Sequence, residues 1–233
     1  MRILVTRPLE DATRIAGQLR ARGHEPLIAP LMEIRFREGA EISLEGIQAV
    51  LATSANGVRA LAQRSARRDV PLLAVGPQTA AEAQALGFVD VRNAQGDGAA
   101  LALAVEKWAE PANGALLHVA GREASAQLAR KLTDRDFEVR TAVLYDAVPV
   151  EALPEEIANA LQHGALDAAM FFSPRSAQVF ADCIGKAELG ARCARLAAFC
   201  ISQAAAARLA PLTFAALRVA KNPNQEALLA LLD

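Results

Sequence analysis

The chain has 233 residues, enough for one large domain or two of ordinary size. Hydrophobic residues make up 53% and charged residues 22%, so the sequence is core-forming and an intrinsically disordered chain is excluded. A net charge of −1 with scattered arginines leaves no electrostatic footprint for nucleic acid, although local Arg side chains and backbone N–H groups can still hold a small anion.

The first predicted element is a short strand, "RILVT" (Arg2 to Thr6), closed by Thr-Arg-Pro. A helix follows, with Ala12, Ile15, Ala16 and Leu19 on one stripe at three- and four-residue spacing. Gly23 in "RARGHEP" stands where a left-handed C-terminal residue is expected. "PLIAPLMEIRF" then reads as one extended run. "AVLATSANGVRALA" is a buried strand, a Ser54 corner and a helix, and "LLAVGPQTAAEAQALG" and "VRNAQGDGAALALAV" continue the alternation. "ALLHVAGREASAQLARKLTDRDFEVRTAVLYDAVPV" gives a strand, Gly121, a helix striped by Leu128, Ala129 and Leu132, a turn and another long extended run. "AAMFFSPRSAQVFA", "LAAFCISQAAAARLA" and "VAKNPNQEALLALLD" complete the chain.

These pieces repeat. "AVLATSANGVRALA" parallels "AAMFFSPRSAQVFA", with Ser54 facing Ser173, and the two following pairs of segments match in the same order. Ala-rich strand–helix units resemble one another in general, but matching order, punctuation and length favour a duplication. Short buried strands alternating with helices predict parallel sheets covered on both faces. About ten strands in two sets of five suit two small doubly wound sheets of the flavodoxin kind.

In open α/β sheets ligands lie beyond the carboxyl ends of the strands, near helix N-termini. Small hydroxyl residues occupy those corners: Thr6, Thr53, Ser54, Thr79, Ser173 and Ser202. Each could cap a helix, for about 1 kcal/mol, or help hold an anion, and the two roles are compatible. If the two domains face each other, their corners line a shared cleft. Arg7 follows the first strand and could pair with a carboxylate, with a solvent-facing helix-start arginine as the competing reading; Arg122, after Gly121, is a weaker candidate.

His24, His118 and His163 have no spacing that suggests metal ligands or a nucleophile's partner. Gly-x-Gly-x-x-Gly and the Walker loop are absent. The cysteines, Cys183, Cys193 and Cys200, are odd in number and suit a reducing compartment. "MRILVTRP" has too short an apolar run for a signal peptide, and no segment reaches the roughly 20 apolar residues of a membrane helix. A cytoplasmic location is therefore expected.

"ILVTRP", "GHEPLIAPLMEI", "LATSANGV", "AVGPQTAAEAQALGF", "VLYDAVPV", "FFSPRSAQVF" and "CISQAAAARL", in that order, resemble the uroporphyrinogen-III synthase family over essentially the whole chain. The resemblance implies an α/β fold of two flavodoxin-like domains, each a doubly wound parallel sheet, joined by a two-stranded β-ladder. Residues 1–35 and 149–233 would form one discontinuous domain and 36–148 the inserted one, with "LMEIRF" and "LYDAVPV" as the crossing strands. Periodicity alone does not choose this over two consecutive domains. Two thin connections would also make a hinge.

The resemblance further implies a lyase that cyclises hydroxymethylbilane, a flexible linear tetrapyrrole with many carboxylates. Water is lost and the terminal pyrrole is inverted through a spiro intermediate, with no cofactor and no metal. Tyr145, the sole tyrosine, matches the family tyrosine thought to assist hydroxyl departure, and is the catalytic candidate. A half-buried strand tyrosine is the competing reading. Arg7, Thr53, Ser54, Thr79, Ser173 and Ser202 form the substrate-binding set. Asp146 would point to the opposite face of a regular strand and is left out. The chain departs from the family pattern at "FCISQ", where many members carry Gly-Pro-Thr-Thr. The implied partners are the tetrapyrrole and a transient hand-over from the preceding pathway enzyme, with no nucleic acid, no membrane and a monomeric state. The alternatives are a non-catalytic two-lobed binding module for an anionic metabolite and, disfavoured by the missing phosphate loops, a nucleotide-using α/β transferase.

Overall fold

The computed structural model describes residues 1–232. In chain order its elements are β1 (Arg2–Val5), α1 (Leu9–Ala21), β2 (Glu25–Ile28), β3 (Met32–Phe36), β4 (Ile47–Ala52), α2 (Ala55–Arg64), β5 (Leu72–Ala74), α3 (Pro77–Ala85), β6 (Val91–Asn93), α4 (Gly98–Trp108), β7 (Ala115–Gly121), α5 (Gln127–Thr133) and β8 (Val139–Pro149). They continue with α6 (Glu155–Gln162), β9 (Ala168–Phe171), α7 (Pro174–Lys186), β10 (Ala197–Cys200), α8 (Gln203–Ala207), β11 (Ala216–Val219) and α9 (Gln225–Leu229). The chain is α/β, and the strand pairs within its two sheets are parallel for β1–β2, β1–β9, β9–β10, β10–β11, β4–β5, β4–β7, β5–β6 and β7–β8.

The described strands number eleven where about ten are expected, because "PLIAPLMEIRF" is two strands. Pro30 has no N–H to donate and interrupts the run between β2 and β3. β2 stays beside β1, whereas β3 is the edge strand next to β8. The sheet orders are β11-β10-β9-β1-β2 and β3-β8-β7-β4-β5-β6. With β3 set aside, β6-β5-β4-β7-β8 repeats the other sheet under the pairing of segments read from the sequence.

The chain divides into two compact units, Met1–Glu33 with Val148–Asp233, and Ile34–Ala147. In the second, strand alternation loads both faces of the sheet. Val50, Ala52, Leu72, Ala74, Leu117 and Val119 pack with Val58 and Leu61 of α2 and Ala80 and Ala83 of α3. On the opposite face Ala49, Leu51, Leu73 and Leu116 pack with Leu101 and Val105 of α4 and Leu128 and Leu132 of α5. In the first unit the stripe of α1 is buried as the spacing requires, and Ile15 and Leu19 meet Ile3, Val5, Met170 and Phe199. Gly23, at φ +75°, takes the left-handed turn that ends α1.

Candidate active site

In the second unit, β4 ends at Thr53 and Ser54 before α2 begins. Ser54 is the N-cap, its Oγ accepting the Gly57 N–H at 3.1 Å. The same Oγ lies 2.8 Å from the Tyr145 hydroxyl on β8. The seat of α2 is tight: a Cβ on Gly57 would lie 2.8 Å from the Val119 carbonyl oxygen. Glycine therefore lets the helix N-terminus settle against β7.

Tyr145 is aimed by an irregularity. Along β7 and β8, Ala120 faces Val143 but the next pair is Gly121 and Tyr145, so Leu144 is one residue extra. Such a bulge breaks the two-residue alternation. Leu144 and Tyr145, adjacent in sequence, consequently pack against the same apolar cluster. Opposite Tyr145, an added Cβ on Gly121 would stand 2.7 Å from ring atoms Cε2 and Cζ. The tyrosine ring occupies the space that any other residue at 121 would fill.

The irregular strand gives Asp146 a definite place. Its carboxylate accepts from Arg37 Nε at 2.9 Å and Nη2 at 3.3 Å, and from Arg122 Nε at 2.6 Å. Hydrogen bonds from the two guanidinium groups hold its carboxyl below the usual carboxylate range. The Arg122 backbone N–H donates to the Tyr145 carbonyl at 3.0 Å. Thr53 Oγ1 lies 3.5 Å from His118 Nε2. His118 is 3% exposed, and burial pushes its pKa below 6.5, which favours the neutral ring. Thr79 is buried in the first turn of α3.

In the first unit, Ser173 caps α7, accepting the Ser176 N–H at 3.1 Å, with the two hydroxyls 2.9 Å apart. Ser202 caps α8, accepting the Ala205 N–H at 3.3 Å, but that helix has only five residues. Thr6 is fully buried and donates to the Met170 carbonyl at 2.8 Å, tying β1 to β9. Arg7 is committed to several partners. It donates to Asp11 and to Gln225 of α9, each at 3.0 Å, and stacks 4.7 Å from the Phe172 ring centroid, with its side chain 11% exposed.

Of the sequence candidates, Ser54 and Tyr145 are brought into direct contact across 91 positions. The chemistry this pair offers is a neutral hydroxyl relay beside the positive end of a helix. The sequence reading missed the partner roles of Gly121, Arg37 and Asp146. Only Gly121, singled out as a strand-end glycine, carried a visible signal. Among the described residues no group of three or more His, Cys, Asp or Glu is placed to hold a metal, and no helix is long and apolar enough to cross a membrane.

Comparison with known proteins places the chain, by its fold and sequence, in a family. The Helicobacter pylori 26695 uroporphyrinogen-III synthetase structure matches over 100% of this chain and 98% of its own, with 21% identity and a TM-score of 0.62. A mutant uroporphyrinogen III synthase from the extremely thermophilic bacterium Thermus thermophilus matches over 99% and 97%, with 16% identity and a TM-score of 0.53. These likenesses establish the fold. A Methanocaldococcus jannaschii protein, provisionally named a uroporphyrinogen-III synthase, is 34% identical over 58 residues, 25% of this chain and about a quarter (24%) of its own length. The family model described as Uroporphyrinogen-III synthase HemD matches residues 13–230, nearly the whole chain, and the protein therefore belongs to the uroporphyrinogen-III synthase family.

Proposed function

We propose that this protein is a lyase that cyclises hydroxymethylbilane to uroporphyrinogen III, with loss of water and inversion of the terminal pyrrole. The observation that carries the reading is the 2.8 Å contact between Ser54 Oγ and Tyr145 OH at the N-terminus of α2. Tyr145 donates its proton to the departing hydroxyl, whose C–O bond breaks with its electron pair to give water. Ser54 steadies the phenol oxygen as that proton leaves. The cationic tetrapyrrole is then held for attack by the substituted carbon of the terminal ring. Spiro closure and rearrangement follow, and the proton the macrocycle then releases returns to the Tyr145 phenolate, with no net redox change.

Holding one geometry is the larger task, because the linear substrate can also close without inversion. Restraint of this kind can supply up to about 7–11 kcal/mol of a barrier, more than proton donation alone contributes. In this reading the corners at Thr53, Ser54, Thr79, Ser173 and Ser202 bind substrate carboxylates through helix N-terminal N–H groups. Arg7 meets a carboxylate by exchanging Gln225 for it. The free, buried cysteines suit a reducing cytoplasm, where a monomer would receive substrate from the preceding enzyme.

We also infer two flavodoxin-like domains joined by a β-ladder, residues 1–35 with 149–233 and residues 36–148. Supporting this, β1, β2, β9, β10 and β11 follow the 2-1-3-4-5 order of such sheets. The Arg37 N–H to Leu144 O and Val150 N–H to Leu31 O bonds have the constant residue sum of an antiparallel pair.

The test is to supply freshly made hydroxymethylbilane and identify the cyclic isomer by chromatography. Uroporphyrinogen III, formed well above the spontaneous rate, is expected. Only the non-inverted isomer, at the spontaneous rate, would leave a non-catalytic binding module in its place.

A further inference from the structure

Between α2 and α3 lies a charged cluster that the proposed reaction does not use. Arg59 Nε and Nη2 each lie 2.9 Å from one oxygen of Glu82, a two-pronged ion pair whose residues are 8% and 7% exposed. The third nitrogen, Nη1, donates to Asn56 Oδ1 at 2.9 Å. A buried pair of this kind seldom adds stability over apolar residues of similar volume. Its distinguishing property is direction, because a planar guanidinium fork meets a carboxylate in one orientation.

That direction bears on the Ser54 corner. Asn56 is in the first turn of α2, two residues past Ser54, and Glu82 is on α3, one turn beyond Thr79. The approach of α2 to the sheet is set by Gly57 against the Val119 carbonyl. The Arg59–Glu82 fork ties that helix to α3 in one orientation, beside the core packing of Val58 and Leu61. The Ser54 hydroxyl that meets Tyr145 at 2.8 Å sits at the N-terminus of this same helix.

We propose that Arg59 and Glu82 are positioning residues that keep the Ser54–Tyr145 hydrogen bond in register. The catalytic consequence rests on the synthase reading above; the structural one does not. Tyrosine labelled with carbon-13 at Cζ alone gives a single NMR resonance, because Tyr145 is the sole tyrosine, and that resonance can be followed without substrate. Three variants are compared with the unmodified protein: Ser54→Ala, which removes the partner; Arg59→Lys, which keeps the charge but loses the fork; and the apolar pair Arg59→Met with Glu82→Met.

In both Arg59 variants the resonance moves toward its position in Ser54→Ala, while the apolar pair keeps a thermal midpoint close to the starting protein. With hydroxymethylbilane, kcat falls about ten- to a hundredfold with KM nearly unchanged, and the non-inverted isomer rises. A folded Arg59→Lys protein with an unmoved resonance overturns the proposal, and it decides the matter alone if the apolar pair fails to fold. If the unmodified protein shows no turnover, the synthase reading fails and the resonance still decides the positioning role.

Discussion

Gly121→Ala separates folding from function in a way the structure makes quantitative. The new methyl would stand 2.7 Å from Cε2 and Cζ of Tyr145 and 3.1 Å from its hydroxyl. Ordinary contact begins at 3.4 Å, so the ring must retreat by about 0.7 Å at its closest atoms. Gly121 is not among the glycines with left-handed φ, so alanine introduces no backbone strain there. The obstructing atoms are the outer part of a side chain, which can move while the sheet stays put. The expected loss of stability is therefore at the low end of overpacking, about 1 kcal/mol. The hydroxyl fares differently. Carried outward by the same 0.7 Å or so, the 2.8 Å contact with Ser54 reaches the outer limit of a hydrogen bond. Misplacement on the order of 1 Å costs about a hundredfold in rate. The assay is initial-rate conversion of hydroxymethylbilane with isomer analysis, beside a thermal unfolding curve. A near-native unfolding midpoint with turnover reduced at least tenfold is expected. Unreduced turnover in a folded Gly121→Ala protein would show that the Gly121–Tyr145 contact does not set the geometry that matters.

Other perturbations test separate links. Tyr145→Phe should reduce kcat by about 10²–10⁴-fold with KM nearly unchanged, checked by steady-state kinetics, because the lost proton serves only the breaking bond. Gly57→Ala meets the backbone oxygen of Val119, which cannot swing aside. The gain in helix propensity is outweighed, and denaturant titration should show a loss of about 1–3 kcal/mol. Burial lowers the pKa of His118 from 6.5 in the folded state, so below pH 6.5 the unfolded chain takes up its proton first. Stability should hold above that pH and decline as pH falls from 6.5 toward the folded-state pKa. Urea midpoints for His118→Phe at about pH 7.5 and about pH 5.5 should show a smaller difference than in the unsubstituted protein.

The parts legible in sequence were those governed by local rules. Ser54, Ser173 and Ser202 each announce a helix start, because capping involves only the next few residues. The stripe of α1 and the left-handed Gly23 follow from periodicity and φ alone. The paired order of segments anticipated two sheets with matching strand sequence. Where two environments compete for one residue type, the sequence was silent. "PLIAPLMEIRF" is extended throughout, and nothing local says that the strands on either side of Pro30 enter different sheets.

The bulge at Leu144 has no residue signature, so nothing in the sequence says that Leu144 and Tyr145 share one apolar cluster. Thr6 looked like the other strand-end hydroxyls, yet its donor is spent on Met170 of the neighbouring strand. The partners of Arg7 show the same division. Asp11 stands four residues on and could have been read from helix spacing, whereas Gln225 lies 218 residues away and required the fold.

A double-mutant cycle on Ser54→Ala and Tyr145→Phe, read as single-turnover rates of ring closure, bears most directly on the claim that these hydroxyls form one catalytic unit. We expect the double variant to be about as slow as Tyr145→Phe alone, since Ser54 acts through the phenol. Two losses that simply multiply would mean that the pair, although 2.8 Å apart, works as two unrelated residues.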